Sequence, residues 1–186
     1  MPKVNKTKYA ILGVLTLMSG SGYDIKKFCD KGISKFWNEN IGHIYPVLKK
    51  METEGLITSR TEQNEGNPQR NVFTITQKGR DELTEWLMQS VEQSPARLEL
   101  LLKLFFAKNI PAQHVIQQLE SEMNKYKKGL VECMKAEQEL IGNEKVKLDD
   151  GYPYWLATVR YGINDAQFRV RWCEETIESI RNHRAI

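Results

Sequence analysis

The stretch that decides the fold is Asn40-Ile41-Gly42-His43-Ile44-Tyr45-Pro46-Val47-Leu48-Lys49-Lys50-Met51-Glu52-Thr53-Glu54-Gly55-Leu56-Ile57. Its apolar residues recur at three- and four-residue spacing, which predicts a helix over residues 40–54 with one buried face. Asn40 is well placed to cap this helix, because its side-chain oxygen can accept a backbone N–H of the first turn. The opposite face carries Lys49 and Lys50. A small helix with a cationic outer face is typical of proteins that insert a helix into a DNA groove.

Two more helices are predicted before this one. Residues 8–18 are apolar nearly all round, which predicts a helix that packs on its own domain and also on a partner chain. Ser21 and Asp24 have the spacing of a capping box and start the second helix.

A β-hairpin is predicted after the helix. Residues 57–62 and 71–76 are rich in β-branched and aromatic side chains, and the turn formers of residues 64–68 separate them. We therefore expect hairpin 57–76 to form the wing of a winged helix-turn-helix domain. Thr76 then caps a helix whose Leu83, Trp86 and Leu87 are expected to point inward.

These motifs resemble those of the PadR family of bacterial transcriptional regulators. The family's helix pattern, Ser-x-Gly-x-hydrophobic-Tyr-Pro-x-Leu, is matched by residues 40–48 with Asn40 in place of the serine, and residues 54–57 match its acidic-Gly-Leu-Ile exit. The wing is similar to the family's Gly-Arg-Pro-x-Arg-Lys-x-Tyr, although Asn67 and Asn71 replace two cations. The resemblance implies a dimeric DNA-binding regulator, a repressor rather than an activator, that binds a palindromic operator and is released by a small aromatic effector.

The C-terminal half carries two long heptad-like patterns, which predict long helices with coiled-coil seams. The linker 142–153 is short enough to fold them into an antiparallel pair that keeps Cys133 and Cys173 apart. Two isolated helices bury little surface, so we expect this arm to pair with a second chain, and it resembles the C-terminal arm of the longer PadR-like regulators. The first seam is Ile116, Leu119, Met123, Tyr126, Leu130, Cys133, Glu137 and Leu140; the second is Leu156, Val159, Ile163, Ala166, Val170, Cys173, Ile177 and Ile180.

The predicted fold is therefore mostly α: a winged helix-turn-helix DNA-binding domain over residues 1–93, followed by an antiparallel helical dimerisation and effector domain over residues 94–186. Charge follows this division. Residues 1–50 carry 9 Lys+Arg and 3 Asp+Glu, a net charge of +6, whereas residues 91–186 carry 14 of each. A nucleic-acid-binding protein needs to be basic only on its contact face. Charge alone favours a solvated charged surface, and it is the helix motif that favours DNA binding.

The candidate DNA contacts lie on the predicted helix and wing. Lys49 and Lys50 are expected to meet phosphates, with a solvated helix face as the alternative. His43 lies at the helix end that usually contacts bases, and Tyr45 is expected either to meet the DNA backbone or to be half-buried packing. The complete set is Asn40, His43, Tyr45, Lys49, Lys50, Arg60, Gln69 and Arg70.

A pocket for a small aromatic effector is expected between the arm and the winged domain. Its candidate wall residues are Phe105, Phe106, Tyr152 and Trp155. Each of these side chains is equally well explained as core.

The sequence carries no motif typical of an enzyme active site. His43, His114 and His183 are scattered, no Cys/His metal spacing or phosphate-binding glycine loop occurs, and we expect no metal and no cofactor. The 3 cysteines leave one unpaired in any disulfide scheme, which suggests a reducing cytoplasm. No membrane span or signal peptide is expected. The alternative function is a coiled-coil oligomerisation or adaptor protein without specific DNA binding.

Overall fold

The structure, a computed structural model, describes residues 5–34, 36–37, 41–63, 69–92 and 97–183, with the backbone alone at residues 41–43. The chain divides into two compact units, residues 1–93 and 94–186. Both units are mainly helical, and the first also holds a two-stranded antiparallel sheet. The prediction of a mostly α fold with one hairpin is confirmed.

The first unit has the predicted order of three helices, a hairpin and a fourth helix. The elements are α1 (Lys6–Leu17), α2 (Gly22–Gly32), α3 (Ile41–Thr53), β1 (Ile57–Glu62), β2 (Arg70–Ile75) and α4 (Gln77–Met88).

Helix α1 forms the centre of this unit. It contacts α2, α3, α4 and β2, and Ile11, Leu12, Val14 and Leu15 are all buried. Its all-round apolar character is thus explained within its own unit, because a helix surrounded by other elements needs more than one apolar face. The expected contact between α1 and a partner chain stays a prediction.

The predicted helix starts at Ser21 and Thr76 are confirmed. The Ser21 hydroxyl accepts a hydrogen bond from the Asp24 backbone N–H, and the Asp24 carboxylate accepts one from the Ser21 N–H. The Thr76 hydroxyl accepts a hydrogen bond from the backbone N–H of Gly79. Both caps satisfy backbone donors that the first helical turn cannot satisfy itself.

The prediction that Leu87 points inward is wrong. Its side chain is 66% exposed. The neighbouring Trp86 takes the inward position instead and stacks on Tyr9 of α1, with ring centroids 4.4 Å apart and an interplanar angle of 6°. Residues next to each other in a helix do not share a face, so Leu87 is turned away from α1.

The hairpin pairs Ile57 with Ile75 and Glu62 with Arg70. Strand β2 begins and ends one residue earlier than predicted. It begins at Arg70, which pairs with Glu62, and it ends before Thr76, which caps α4. Phe73 also exchanges backbone hydrogen bonds with Gly20 before α2, which ties the hairpin to the helical core. The predicted turn of the wing, residues 64–68, lies outside the described residues.

The second unit is an antiparallel pair of long helices. Short helical segments precede the first long helix and also lie in the connection between the two. Its elements are α5 (Glu99–Phe105), a 3₁₀ turn (Ala107–Asn109), α6 (Ala112–Gly142), α7 (Glu144–Lys147) and α8 (Tyr152–His183).

Both predicted seams are confirmed by burial, since every member is buried or half-buried in the packed pair. The antiparallel direction follows from the ion pairs Glu137–Arg160 (2.7 Å) and Glu120–Arg181 (3.0 Å) near the two ends of the pair. Gly162 lies opposite Cys133, because a Cβ built on it would stand 3.2 Å from the Cys133 sulfur.

Cys133 and Cys173 form no disulfide, as the antiparallel arrangement predicts, and all three cysteines are buried. Residue 162 lies opposite Cys133, and Cys173 is a further three turns along α8, roughly 16 Å away at 1.5 Å per residue. Burial raises the pKa of the Cys173 thiol, and the nearby carboxylates of Glu122 and Glu174 add to this effect. Among the described residues, no helix is long and apolar enough to cross a membrane.

Candidate nucleic-acid interface

Helix α3 has one buried face and one open face. Ile44, Leu48 and Met51 are at most 1% exposed and pack in the core of the first unit. Lys49 and Lys50 lie on the other side and are exposed. The hydrophobic side therefore fixes the direction in which the two ammonium groups point, as the sequence pattern predicts.

The two lysines differ in their local partners. The Lys50 ammonium is 3.7 Å from the carboxylate of Glu54, which directly follows α3. Among the described residues, Lys49 has no carboxylate partner. An exposed ammonium without a counter-charge is free to meet a phosphate without first breaking an ion pair.

Tyr45 packs within the first unit and is also partly exposed. Its ring packs against the backbone of Gly22 at the start of α2, where a Cβ would stand 2.8 Å from the nearest ring carbon. The side chain is nevertheless 51% exposed, and its hydroxyl makes no hydrogen bond within the described part of the chain. The ring thus holds α3 against α2, while the hydroxyl remains available to a ligand.

The N-terminal end of the helix is described less completely. Asn40, the expected cap, lies outside the described residues. His43 belongs to the first turn of α3, but its side chain is also outside them. Capping by Asn40 and base contact by His43 therefore stay predictions.

The wing cations lie together on one face of the hairpin. Glu62 is paired with Arg70 across the strands, and Arg60 lies on the same face, two residues earlier on β1. One guanidinium nitrogen of Arg60 is 2.7 Å from the Glu62 carboxylate, and one of Arg70 is 3.2 Å from it. Arg70 also lies 3.6 Å from the carboxylate of Asp24 in α2. Gln69 is exposed just before β2.

Glu62 and Asp24 were not among the sequence candidates. The signal that could have found Glu62 is the hairpin register, because opposite charges directly across an antiparallel pair attract each other. Asp24 was singled out only as a capping residue. Hydrogen bonds from Ser21, and then the Arg70 charge, hold the pKa of Asp24 below its ordinary value, although burial opposes this.

The four candidate effector residues are not brought together within the second unit. Phe105 and Phe106 precede α6, near the end of the pair where α8 finishes, whereas Tyr152 and Trp155 lie in the first turn of α8 at the other end. The 31 residues of α6 separate the two groups by roughly 45 Å at 1.5 Å per residue. They cannot all line one pocket within a single arm.

The two aromatic groups also differ in exposure. Phe105 is 83% exposed and borders an open depression of about 700 Å³ with Leu98, Leu101 and Leu102. The Trp155 ring instead covers Gly151, where a Cβ would stand 2.5 Å from it. The core alternative therefore fits Trp155 better than it fits Phe105.

The helix pair keeps apolar side chains on its outer surface as well as in its seam. Tyr154, Tyr161 and Phe168 of α8 are spaced by seven residues, so they share a face, and they are 73%, 68% and 56% exposed. On α6, Val131, Met134 and Ile141 are also exposed. We refer to these six residues as the outer stripes. Exposed apolar surface of this kind in a folded protein usually marks an interaction site.

Comparison with known proteins identifies the family. A family model described as "Transcriptional regulator PadR-like family" matches residues 11–85, and one described as "Virulence activator alpha C-term" matches residues 96–181. The negative transcriptional regulator PadR of Bacillus subtilis (strain 168) is 30% identical over 138 residues, which are 73% of this chain and 75% of that protein. The chain belongs to the PadR family.

Solved structures of PadR-type regulators agree over nearly the whole chain. Bacillus subtilis PadR in complex with operator DNA has a TM-score of 0.83 and 26% identity, covering 95% of this chain and 98% of that one. The Vibrio cholerae virulence activator AphA has a TM-score of 0.74 and 27% identity, covering 95% and 99%. The same Bacillus protein with p-coumaric acid has a TM-score of 0.75 and 27% identity, covering 94% and 98%.

These matches confirm the predicted winged helix with a long helical C-terminal region, and they confirm that the chain is a DNA-binding transcriptional regulator of the PadR family. They favour this function over the adaptor alternative. Its relatives are regulators, so the prediction that the chain is not an enzyme is also confirmed.

Proposed function

We propose that this PadR-family protein is a dimeric repressor that binds a palindromic operator through α3 and the wing. The observation that carries the proposal is the open face of α3, where Tyr45, Lys49 and Lys50 stand exposed above a fully buried opposite face. A helix fixed in this way can present its outer side chains to the major groove. Repression is favoured over activation because the relative at 30% identity is a negative regulator.

The candidate contacts have separate roles in this proposal. Lys49 and Lys50 meet phosphates, and the Tyr45 hydroxyl donates a hydrogen bond to the DNA backbone. His43 contacts base edges, and Asn40 caps the helix. Phosphate contacts supply affinity without sequence preference, whereas base contacts supply the preference. Arg60, Gln69 and Arg70 of the wing contact the backbone beside the groove.

A dimer with two-fold symmetry matches an operator with inverted symmetry. Two recognition helices related by a two-fold axis meet half-sites one DNA turn apart, at about 34 Å. The outer stripes of the helix pair support a two-chain arm, because they leave exposed on one chain the apolar surface that a partner would cover. We place the regulator, whose three cysteines form no disulfide, in the cytoplasm.

A small aromatic compound acts as effector in the same proposal. Bacillus subtilis PadR has been solved both with operator DNA and with p-coumaric acid, which supports a planar aromatic ligand for this chain. Phe105 and Phe106 are the stronger wall candidates, since Trp155 is occupied by packing on Gly151. Binding releases DNA only if the compound prefers one arrangement of the dimer.

The effector proposal is tested by adding planar phenolic acids to a protein–DNA complex. Tryptophan fluorescence and DNA binding are followed together. The proposal requires that a compound which alters the fluorescence also weakens DNA binding. A compound that binds without weakening the complex would contradict it, and a panel without any response would favour a regulator controlled by its own abundance.

The operator itself is found by selection from genomic DNA. The purified chain is incubated with sheared genomic fragments, and the retained fragments are sequenced. The proposal predicts enrichment of a few sites with inverted symmetry, and footprints on them centred one DNA turn apart. Recovery of random fragments only would contradict sequence-specific binding.

A further inference from the structure

A single carboxylate on the wing lies between the two arginines that are proposed to meet DNA. Glu62 faces Arg60 at 2.7 Å and Arg70 at 3.2 Å. The Glu62 side chain is 27% exposed, whereas that of Arg60 is 72% exposed. The carboxylate thus lies partly shielded at the loop end of the strand ladder, and the more exposed Arg60 guanidinium contacts it from the solvent side.

The hairpin register makes this arrangement a consequence of the fold. Glu62 is directly opposite Arg70 in the last pair of the ladder, and residues 60 and 62 project from the same face of β1. The pairing therefore needs no special loop conformation. The three side chains are neighbours on one face whenever the hairpin is formed.

The two arginines are not equally bound. Arg70 is 49% exposed and has a second carboxylate, Asp24, at 3.6 Å, so it would remain paired without Glu62. The carboxylate partner of Arg60 among the described residues is Glu62. Arg60 is therefore the cation whose freedom depends on Glu62.

We propose that Glu62 is an internal competitor for DNA phosphate that restrains Arg60 and so limits the affinity of the wing for any DNA. This inference rests on the proposed DNA-binding function. A guanidinium binds a carboxylate and a phosphate with the same two-pronged geometry. Contact with DNA through Arg60 therefore requires an exchange of one anion for the other, and part of the gain from the phosphate contact is offset by the lost ion pair.

A variant that removes the competing charge tests whether Arg60 exchanges Glu62 for phosphate. Glu62→Gln keeps the size of the side chain and removes its negative charge. Binding to a random-sequence duplex is measured by fluorescence anisotropy between 50 and 200 mM salt, because a mixed duplex needs no knowledge of the operator. The wild type, Glu62→Gln, Arg60→Ala and the double variant are compared.

One extra phosphate contact steepens the log–log salt dependence by about 0.9. Glu62→Gln should therefore bind more tightly at 50 mM salt, and its affinity should fall about 3.5-fold more than that of the wild type between 50 and 200 mM. The double variant should show the same slope as Arg60→Ala. The gain from Glu62→Gln would then depend on Arg60.

The control separates this exchange from a general change in charge. Glu139→Gln removes the same charge from an exposed pair with Lys135 in the second unit and should leave the slope unchanged. A Glu62→Gln slope equal to that of the wild type would overturn the inference, as would an equal gain in the Arg60→Ala background. If the wild type binds no duplex, the proposed function fails and the inference fails with it.

Discussion

The carbonyl oxygen of Leu56 lies so close to Gly79 that a Cβ at residue 79 would stand 2.2 Å from it. Gly79 is in the first turn of α4, where its N–H is bound by Thr76. The Thr76 hydroxyl is also within hydrogen-bond distance of the Leu56 carbonyl, at 3.0 Å. This contact joins α4 to the chain that leaves α3, so it helps to hold α3 in place.

Gly79→Ala should therefore destabilise the protein. The added methyl group meets backbone rather than a movable side chain, and overpacking of this kind costs about 1–3 kcal/mol. Thermal or urea unfolding measures the loss. Gly13→Ala in α1 is the matched control, because nothing lies within 4 Å of its Cβ position, and it should be neutral or stabilise by up to about 1 kcal/mol. Equal stability of the two variants would contradict the close packing of Gly79.

Tyr45→Phe separates packing from DNA contact. The variant keeps the ring that lies on Gly22 and removes only the exposed hydroxyl. We expect an unchanged melting temperature and a loss of DNA affinity equivalent to about 0.5–1.5 kcal/mol, the value of one hydrogen bond. Unfolding and duplex titration check the two parts. Unchanged affinity would assign Tyr45 to packing alone.

Stability in acid should depend on the contact between Lys8 and Glu82. Glu82 accepts hydrogen bonds from Lys8 and from the Tyr9 hydroxyl. The Lys8 hydrogen bond holds the pKa of Glu82 below its ordinary value, although burial opposes this. A carboxylate with a lower pKa in the folded state stabilises the fold above its unfolded pKa, near 4.3, and this stabilisation is lost as the pH falls through the folded pKa.

Glu82→Gln should consequently lower the free energy of unfolding at pH 7 by on the order of 1 kcal/mol, since the pair is partly solvated. The difference from the wild type should shrink as the pH is lowered below about 4.3. Urea unfolding across the pH range measures it, and Glu85→Gln, an exposed change on the same helix, is the control. A difference that stays constant down to pH 3 would show that the ion pair does not contribute.

Dimerisation should depend on the outer stripes. Tyr161→Glu and Phe168→Glu each place a charge among exposed apolar side chains of α8, so a buried dimer interface there would have to hold an unpaired charge. Sedimentation of the wild type at micromolar concentration should give twice the chain mass, and each variant should shift toward monomer. Gln167→Glu, an exposed change on the same helix that points about 100° away from Phe168 at 3.6 residues per turn, should remain dimeric. A wild-type monomer would contradict the two-chain arm itself.

Features that depend on a local sequence pattern could be predicted, whereas contacts between separate segments could not. The cap of α2 at Ser21 and the inward face of α3 follow from spacing within one helix, and both are confirmed. The pairing of Glu62 with Arg60 and Arg70 needed the register between two strands. Likewise, the separation of Phe105 from Trp155 follows from the length of α6 and the antiparallel turn, which a list of aromatic residues does not contain.

The outward position of Leu87 shows a different limit. Residues 83, 86 and 87 all fit an inward helical face, and the pattern cannot rank them. The stacking of Trp86 on Tyr9 decides the question by filling the space next to α1. Such competition for a place in the core is settled by side-chain shape rather than by periodicity.

The central claim is that the open face of α3 meets DNA phosphates. It is tested most directly by the salt dependence of duplex binding for Lys49→Ala/Lys50→Ala, compared with Lys128→Ala/Lys135→Ala on an exposed part of α6. We predict weaker binding of the first variant to every sequence and a log–log slope that is shallower by about 0.9 for each lost phosphate contact, with the second variant unchanged. Wild-type affinity and slope in the α3 variant would contradict the account, because α3 would then not be the helix in the groove.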